Sequence, residues 1–380
     1  AHAGWKRTRP PAAADTAHPH GQHSVQTANQ SAQPLTPPAV PPEARPEPPM
    51  HQPTAATPCP IPLRNGVSAS CVVLPSSRQP LWPTVLDALA VRLPGVERSE
   101  WQRRLAAGDV LDAQGQPLRA DSPCHSGMRL FYWRHVPDEP EVPFAHAVLF
   151  QDAHLVVADK PHGLPVVPGG RYVQHTLLAR LKRELDLPTL TPLHRIDRET
   201  AGLVVLGIRP AERGAYQRLF RERTIHKTYE AVAPLPAGLD ASTPPSWHTT
   251  RTSHLREDPA QFFRMQEAAE SEGLPPNSTT HCTLLAADQR LNLGLYRLEP
   301  VTGKRHQLRV HMAALGLPLV GDAFYPTVLR GPDEADDFAR PLQLLARSLA
   351  FADPVTGQQR VFVSQRSLCL GQGLACAGAA

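Results

Sequence analysis

The residues with the clearest chemical potential form one short segment, His194-Arg195-Ile196-Asp197-Arg198-Glu199-Thr200-Ala201-Gly202-Leu203. This segment places the Asp197 carboxylate between two arginines and continues directly into an apolar run. Guanidinium groups favour the ionised form of a neighbouring carboxylate, whereas burial beside aliphatic side chains disfavours it. An anionic carboxylate held in this way could act as a nucleophile. The simpler interpretation is a turn residue that accepts hydrogen bonds from nearby backbone amides.

Positive charge is concentrated around this segment. The chain of 380 residues has a formal net charge of only +4, yet residues 195–227 contain eight Arg and Lys against four Asp and Glu. A second cluster contains Arg297, Lys304, Arg305 and Arg309, opposed internally by Glu299 alone. Such clusters suit a polyanion such as RNA, because contacts to phosphate supply affinity whatever the base sequence. For either cluster taken alone, a solvated charged face is the alternative.

The first 58 residues differ in composition from the rest. They contain almost no large aliphatic residues and are dominated by Pro, Ala, His, Gln and Thr, which predicts a disordered tail. The chain has neither the apolar core of a signal peptide nor an apolar run long enough to span a membrane, so we expect a cytoplasmic location. Six scattered cysteines without a C-x-x-C pair argue against a zinc knuckle or a disulfide framework.

Residues 59–135 are predicted to form a small α/β unit. Apolar spacing predicts a helix over 83–93, and Ser99 with Gln102 suggests a capping box at the start of a second helix. Short strands are expected over 109–113 and 129–133. This order resembles the S4-like RNA-binding module, although a structural spacer is nearly as compatible with it. Residues 136–144, rich in proline and acid, are interpreted as a linker.

The main domain is predicted over residues 145–370, followed by a flexible tail at 371–380. The strand over 203–208 is apolar at consecutive positions, which predicts a central strand that is covered on both faces. Residues 234–280 are rich in Pro, Ser, Thr and Glu and are interpreted as a long excursion from the sheet. Strands outnumber helices and do not alternate with them, so the expected class is α+β with a mixed, largely antiparallel sheet. Strands and helices of this domain are expected over 148–150, 155–158, 176–185, 203–208, 210–221, 229–233, 280–285, 292–298, 304–314, 344–351 and 360–363.

Three segments taken together resemble the RluA-type family of pseudouridine synthases. They are Asp159-Lys160-Pro161-His162-Gly163, the segment 194–203 and Thr302-Gly303-Lys304-Arg305-His306-Gln307-Leu308-Arg309-Val310-His311. The resemblance extends over roughly residues 145–365. It implies isomerisation of uridine to pseudouridine in a structured RNA, without a cofactor or a metal. The chain departs from the family pattern in Ala201, where Ser or Thr is usual, and in the order Lys304-Arg305.

The resemblance also implies roles for single residues. Asp197 would be the catalytic carboxylate, and Arg195 would enter the base stack when the uridine flips out. Tyr229 would lie against the flipped uracil, and Arg309 would pair with the catalytic carboxylate. Further contacts to the pocket or the RNA are expected from Arg198, Thr200, Gly202, Lys160, Arg305, His306 and Leu345. Two further histidines of these motifs, His194 and His311, are interpreted as structural or RNA-contacting.

Several alternatives stay open at this level. Asp197 could attack C6 of the uracil or C1′ of the ribose, or could promote departure of the base through a glycal. The RNA could be 23S-type rRNA or tRNA, and the protein is expected to act as a monomer. A non-catalytic RNA-binding or ribosome-assembly factor would use the same basic clusters but would need no carboxylate among them. Two other classes fit less well. A glycosidase normally needs two carboxylates flanking the bond, and no second acid recurs beside the motif. A kinase is set aside, because the sequence lacks its glycine-rich and D-F-G motifs.

Overall fold

A computed structural model describes residues 61–239, 247–332, 334–335 and 337–368. The predicted tails at 1–58 and 371–380 lie outside the described residues. The boundaries assigned to the small unit, the linker and the main domain stay predictions, as does the likeness of the small unit to S4. The longest α-helices of the described part have nine residues, and none could span a lipid bilayer.

The small unit contains a three-stranded antiparallel sheet and two helices. In chain order its elements are β1 (Ser70–Val73), α1 (Val85–Arg92), α2 (Arg98–Ala106), β2 (Val110–Leu111) and β3 (Arg129–Tyr132). The sheet order is β1-β3-β2. Trp101 and Leu105 of α2 are buried in the core of this unit, as their shared helical face predicts. The capping box was wrong, because α2 begins at Arg98 after Glu97, which makes no side-chain cap, and Ser99 lies inside the first turn.

The rest of the described chain consists of many strands and three α-helices. The strands are β4 (Ala147–Gln151), β5 (Leu155–Lys160), β6 (Thr191–Pro192), β7 (Ala201–Gly207), β8 (His226–Pro234), β9 (His248–Ser253), β10 (Leu255–Glu257), β11 (Met265–Glu267), β12 (Ser278–Asp288), β13 (Leu293–Pro300), β14 (Leu344–Ala352) and β15 (Gln359–Val363). The helices are α3 (Leu177–Glu184), α4 (Arg213–Arg221) and α5 (Gln307–Ala314).

One large sheet organises these elements. Its order is β4-β5-β7-β14-β8-β13-β12-β9, with β15 beside β14 and β6 beside β7, while β10 and β11 form a separate hairpin. Among the described pairings of this sheet, β7 with β14 is parallel and the others are antiparallel. The prediction of a mixed, largely antiparallel α+β fold is therefore confirmed.

The strands β5 and β7 are buried at every position. Alternate side chains of each strand enter two different hydrophobic clusters, because successive residues of a strand point to opposite faces. Helix α3 covers one face through Leu177 and Leu181, and α4 covers the other through Tyr216. The uninterrupted apolar run after Ala201 is thus explained by a strand that is covered on both sides.

Two sequence-based boundaries differ from the structure. Residues 234–280 are not only an excursion, because they contain β9, which pairs with β12 in the main sheet, and the β10–β11 hairpin. Helix α5 begins at Gln307 and not at residue 304, since His306 has a left-handed backbone conformation with φ 53°. That conformation ends helical geometry on its N-terminal side and turns the preceding residues toward the end of the sheet.

One acidic residue of the predicted linker, Glu139, binds the main domain through its side chain. The carboxylate of Glu139 accepts hydrogen bonds from the backbone amides of Val173, Gln174 and His175, at 2.7, 2.9 and 2.6 Å. Val142 is buried in the cluster beneath α3. A carboxylate that accepts several amide hydrogen bonds is held firmly, so this connection restricts how the small unit departs from the main sheet.

Candidate active site

Asp197 lies in a tight turn directly before β7. The backbone amide of Thr200 donates to the carbonyl oxygen of Asp197 at 3.2 Å, which closes the turn. Its neighbour Ile196 is buried, whereas the Asp197 side chain keeps 26% of its surface exposed. The turn interpretation and the functional interpretation are therefore compatible, because the turn holds a partly open carboxylate at the end of a buried strand.

Gly202 fixes the position where this turn enters the sheet. It has φ +109°, and a Cβ atom there would lie 2.3 Å from the carbonyl oxygen of Ala346. Gly202 is the register partner of Ala346 in the parallel pairing of β7 with β14. Only glycine combines this backbone conformation with so close an approach of two strands. The structure thus shows for Gly202 a close approach of two strands, while its contact with the pocket stays a prediction.

The arginine next to Asp197 does not pair with it in the way the sequence suggests. The Arg198 guanidinium lies 3.0 Å from the carboxylate of Glu199 and 3.5 Å from the hydroxyl of Tyr172. Asp197 instead faces Arg309, with Nη1 at 3.6 Å from Oδ2, and His306, with Nε2 at 4.0 Å. The expectation that Arg195 and Arg198 flank this carboxylate is thus corrected, because the groups that face it are Arg309 of α5 and His306 of the turn before that helix.

Arg309 is a deeply buried cation beside Asp197, with 1% of its side chain exposed. Its guanidinium donates two hydrogen bonds to the carboxylate of Asp322, at 2.8 and 2.7 Å, and Nη1 also reaches Glu199 at 3.4 Å. Burial would lower the pKa of Arg309, but the carboxylates of Asp322, Glu199 and Asp197 outweigh it and raise the pKa. The bidentate partner of Arg309 is therefore Asp322, and Asp197 is a more distant neighbour.

Glu199 completes this buried charge network. Burial acts to raise the pKa of its carboxyl group, but the guanidinium groups of Arg309 and Arg198 outweigh burial and lower the pKa to about 2. Glu199 is thus an anion held between two arginines. The sequence suggests that Asp197 is the carboxylate held between two arginines, but in the structure Glu199 occupies that position.

Lys160 lies at the end of β5 with no exposed surface. Its Nζ donates to the carbonyl oxygens of Pro161 and Arg198, both at 3.0 Å. Burial lowers the pKa of Lys160 to about 7, although the carboxylates of Glu199 and Asp197 act in the opposite direction. Lys160 therefore ties the turn that carries Asp197 to the neighbouring strand.

His306 is oriented by a chain of hydrogen bonds. The backbone amide of Met265 donates to the hydroxyl oxygen of Tyr325 at 2.7 Å, and that hydroxyl lies 2.8 Å from Nδ1 of His306. Because the hydroxyl already accepts one proton, this arrangement favours donation of its own proton to Nδ1. The imidazole proton is then on Nε2, which faces Asp197. Burial lowers the pKa of His306, opposed by the negative charge of Asp197.

A cleft of about 90 Å³ opens to solvent beside these residues, at the end of the sheet. Arg195, Asp197, Thr200, Tyr229, His306 and Arg309 are among the residues that line it. Tyr229 is half-buried, and burial together with the charge of Asp197 raises the pKa of its hydroxyl. Arg195 is exposed at the rim. All six are predicted site residues, and they come from three parts of the chain that are far apart in sequence: residues 195–200, Tyr229 and residues 306–309.

Five of the predicted contacts are not among the residues that line the cleft: Lys160, Arg198 and Gly202, described above, and Arg305 and Leu345. Arg305 points away from the cleft, where it donates to the carbonyl oxygen of Phe262 at 2.9 Å and lies 3.7 Å from Glu257. Among the described residues of β14, Leu344 lines the cleft, whereas Leu345 is fully buried. Successive residues of a strand point to opposite faces, so the side chain of Leu345 points away from the face of Leu344.

The sequence-based reasoning missed several residues of the site. Lys227 and Lys304 line the cleft, and Nζ of Lys227 donates to the carbonyl oxygen of Thr302 at 3.1 Å. Asp322 and Tyr325 lie in the stretch after α5, where a D-x-x-Y pattern follows a glycine. That pattern was the signal available in the sequence. It could not show that Asp322 pairs with Arg309 or that Tyr325 contacts His306.

The other two motif histidines are structural. Nε2 of His194 accepts a hydrogen bond from the backbone amide of Val205 at 3.0 Å, and its ring stacks on Phe220. His311 is fully buried, with its ring nitrogens 2.8 Å from the hydroxyl of Thr280 and 3.1 Å from that of Ser278. Burial lowers the pKa of His194 to about 3 and that of His311 to about 4, so both rings are neutral at neutral pH.

Comparison with known proteins decides the family. A family model described as RNA pseudouridylate synthase matches residues 154–314. An uncharacterised RNA pseudouridine synthase of Synechocystis sp. is 36% identical over 244 residues, which cover 63% of this chain and 79% of that protein. The dual-specificity RNA pseudouridine synthase RluA of Escherichia coli K12 is 34% identical over 230 residues, covering 59% and 94%. The chain belongs to the RluA-type family of RNA pseudouridine synthases.

As a pseudouridine synthase the protein is an isomerase. The family match spans Lys160, Asp197, Tyr229 and Arg309, and Asp322 and Tyr325 lie beyond its end. Among solved structures, human RNA pseudouridylate synthase domain containing 1 is similar, with 23% identity and a TM-score of 0.46 over 60% of this chain and 86% of that one. Human RNA pseudouridylate synthase domain containing 4 has 27% identity and a TM-score of 0.43, covering 58% and 88%.

Proposed function

We propose that this synthase isomerises specific uridines of a structured RNA, with Asp197 as the catalytic group and without a cofactor. The observation that carries the proposal is the position of the Asp197 carboxylate. It is partly exposed to the cleft and lies 3.6 Å from a guanidinium group that is itself fixed by a buried carboxylate. A binding protein has no need for a carboxylate at the centre of its cationic surface, because that carboxylate repels phosphate.

The reaction breaks the bond between N1 of uracil and C1′ of ribose and forms a bond from C5 to C1′. The C5 proton is lost after the new bond forms and N1 gains a proton, so atoms and charge balance without any co-reactant. Asp197 could begin this sequence by attack at C6 or at C1′, or by promoting departure of the base toward a glycal. All three routes use one carboxylate, which agrees with a site where the other acids, Glu199 and Asp322, are engaged with arginines.

Access of the carboxylate to the uridine requires the base to leave the stack. Base flipping costs roughly a few kcal/mol. Arg195 is exposed at the rim of the cleft, from which its planar guanidinium could fill the vacated space in the RNA. Tyr229 on the cleft wall could stack on the flipped uracil, a contact typically worth about 1–3 kcal/mol. Lys227 and Lys304 supply charge for the flanking phosphates.

The proposed substrates are 23S-type rRNA or tRNA, bound by a monomer in the cytoplasm. The RluA relatives are named as dual-specificity enzymes, which supports testing both classes of RNA. Mapping pseudouridines chemically in RNA from cells with and without the gene would identify the modified positions. A site that is lost on deletion and restored by the wild-type gene, but not by an inactive variant, would be the substrate.

The decisive experiment on the mechanism is Asp197→Asn. Release of tritium from RNA labelled at C5 of uridine reports the reaction, and filter binding reports affinity. We expect release to be abolished while affinity stays within about an order of magnitude of wild type, because phosphate contacts elsewhere carry most of the binding. Asp121→Asn removes an exposed acid of the small unit and serves as the control. An Asp197→Asn enzyme that still releases tritium would refute the catalytic role.

Arg195→Ala tests base flipping separately. Turnover should fall much more than affinity for RNA, since the affinity is distributed over many cations. A fluorescent uridine analogue at the target position would report extrusion of the base directly. Equal losses of turnover and affinity, with extrusion unchanged, would contradict the assigned role. A non-catalytic RNA-binding factor, the alternative function, would show RNA binding without tritium release even in the wild type.

A further inference from the structure

Phe262 is the most exposed large hydrophobic side chain of the described residues, with 77% of its surface accessible. It lies at the tip of the β10–β11 hairpin, within the segment 234–280 to which the proposed mechanism assigns no role. A single exposed apolar side chain is common on protein surfaces, so the meaning of this exposed ring depends on what surrounds it.

The hairpin tip is held by its own hydrogen bonds. The amide of Arg264 donates to the carbonyl of Gln261 at 2.8 Å, and the amide of Ala260 donates to the Asp258 carboxylate at 2.9 Å. The next residue, Phe263, packs against Phe324 with ring centroids 5.1 Å apart. With Phe263 anchored inward, the backbone directs its neighbour outward, so the exposure of Phe262 follows from the geometry of the loop.

The tip lies beside the catalytic cleft. The Arg305 guanidinium donates to the carbonyl oxygen of Phe262 at 2.9 Å, and Arg305 stands between two residues that line the cleft, Lys304 and His306. The second link is Phe324, which stacks on the His306 ring and contacts Phe263. The ring of Phe262 lies 5.6 Å from that of Phe263 between centroids. Phe262 is therefore connected to the rim of the cleft by one polar contact and by a chain of aromatic rings.

The surroundings of Phe262 indicate the chemistry of the partner. Lys304, Arg305 and Arg264 are cations of this region, opposed by the acids Glu257 and Asp258. An exposed aromatic ring beside arginines and continuous with a cationic cleft is the combination that binds single-stranded nucleic acid, in which bases stack on the ring and phosphates meet the cations. A hydrophobic protein surface would be complementary to the ring but not to the arginines.

We propose that Phe262 stacks on an unpaired base of the substrate RNA that flanks the target uridine. This inference rests on the proposed function, because it assumes that the cleft receives RNA. It assigns to the β10–β11 hairpin the task of holding a base outside the cleft, while Tyr229 holds the target base inside. The specificity would then depend on a nucleotide that is not modified.

Variants at position 262 test the proposal in the full-length protein. Affinity for a substrate RNA should fall about 5- to 150-fold in Phe262→Ala and remain close to wild type in Phe262→Trp. The dependence of affinity on salt should not change, since no phosphate contact is removed. Val361→Ala, which truncates an apolar side chain 67% exposed on β15, is the matched control. Binding of RNA should also quench the fluorescence of the tryptophan introduced by Phe262→Trp.

The outcomes separate this inference from the proposed function. If the wild type does not release tritium from any RNA, the proposed function fails. If the wild type is active and Phe262→Ala binds and reacts like wild type, only the stacking role is overturned. Loss of self-association in Phe262→Ala, measured by sedimentation, with unchanged RNA affinity would likewise overturn it and assign the ring to a contact between copies of the chain.

Discussion

The pairing of Asp322 with Arg309 leads to a quantitative prediction for Asp322→Asn. Both side chains are almost completely buried, at 0% and 1% exposure, and they share two hydrogen bonds. Removing one partner of a buried ion pair costs roughly 3–5 kcal/mol, because the remaining charge stays in a low-dielectric environment. Asparagine keeps one acceptor, and Glu199 still faces Arg309 at 3.4 Å, so we expect a loss near the lower limit, about 3 kcal/mol.

This loss should be visible as a shift of the unfolding transition. For a protein of this size about 2–4 °C corresponds to 1 kcal/mol, so the midpoint should fall by roughly 6–12 °C. Urea titration followed by tryptophan fluorescence gives the free energy of unfolding independently. Asp337→Asn, which removes the acid of an exposed pair with Arg340, is the control and should leave the midpoint unchanged.

Activity provides the second measurement on the same variant. Without Asp322, the Arg309 guanidinium is no longer held in place and can turn toward Asp197. We therefore expect the maximal rate of isomerisation to fall at least tenfold, while the affinity for RNA is retained. Replacing both partners, as Arg309→Met with Asp322→Leu, should recover part of the stability but none of the activity, because burial of unpaired charge is relieved without restoring the guanidinium. Wild-type stability and rate in Asp322→Asn would refute the view that Asp322 positions Arg309.

Two further predictions concern stability. Gly202→Ala should cost roughly 2–5 kcal/mol, because its Cβ would meet Ala346 at 2.3 Å in an unfavourable backbone conformation. Gly214→Ala, on the open face of α4, should instead stabilise by about 1 kcal/mol, and urea unfolding of both variants compares them. Burial lowers the pKa of His311 to about 4, whereas an imidazole in the unfolded chain has a pKa of about 6.5. The unfolded chain therefore binds the proton first as the pH falls. The free energy of unfolding is highest above about pH 6.5 and decreases toward pH 4. His311→Gln should show a decrease smaller by about 3 kcal/mol over that window, and an identical pH profile in both proteins would contradict this reasoning.

Local pattern was sufficient for much of the fold. The uninterrupted apolar run after Ala201 predicted a strand covered on both faces, and β7 is buried throughout. Helix α3 follows its leucine spacing and is capped by Thr176, whose hydroxyl accepts from the amide of Ala179 at 3.2 Å. These features depend on residues within a few positions of one another, and periodicity reports such neighbours directly.

Boundaries that depend on distant partners were less predictable. The segment 234–280 has a loop-like composition, yet β9 lies within it because β12 offers an edge for pairing. The start of α5 is set by the left-handed conformation of His306, which in turn is bound to Tyr325. Composition and spacing contain no information on such long-range partners, so these elements were misplaced or missed.

The amino-acid sequence by itself determined which groups are available for chemistry. It supplied the motif around Asp197, the family resemblance that assigns RNA modification, and the buried strand that carries the motif. Only the tertiary structure decided how the charges are matched. Arg198 turns to Glu199, Arg309 is bound by Asp322, and Asp197 is left partly exposed in the cleft. The reason is physical: the energy of a buried ion pair depends on distance and desolvation, and both are fixed by packing between residues far apart in the chain.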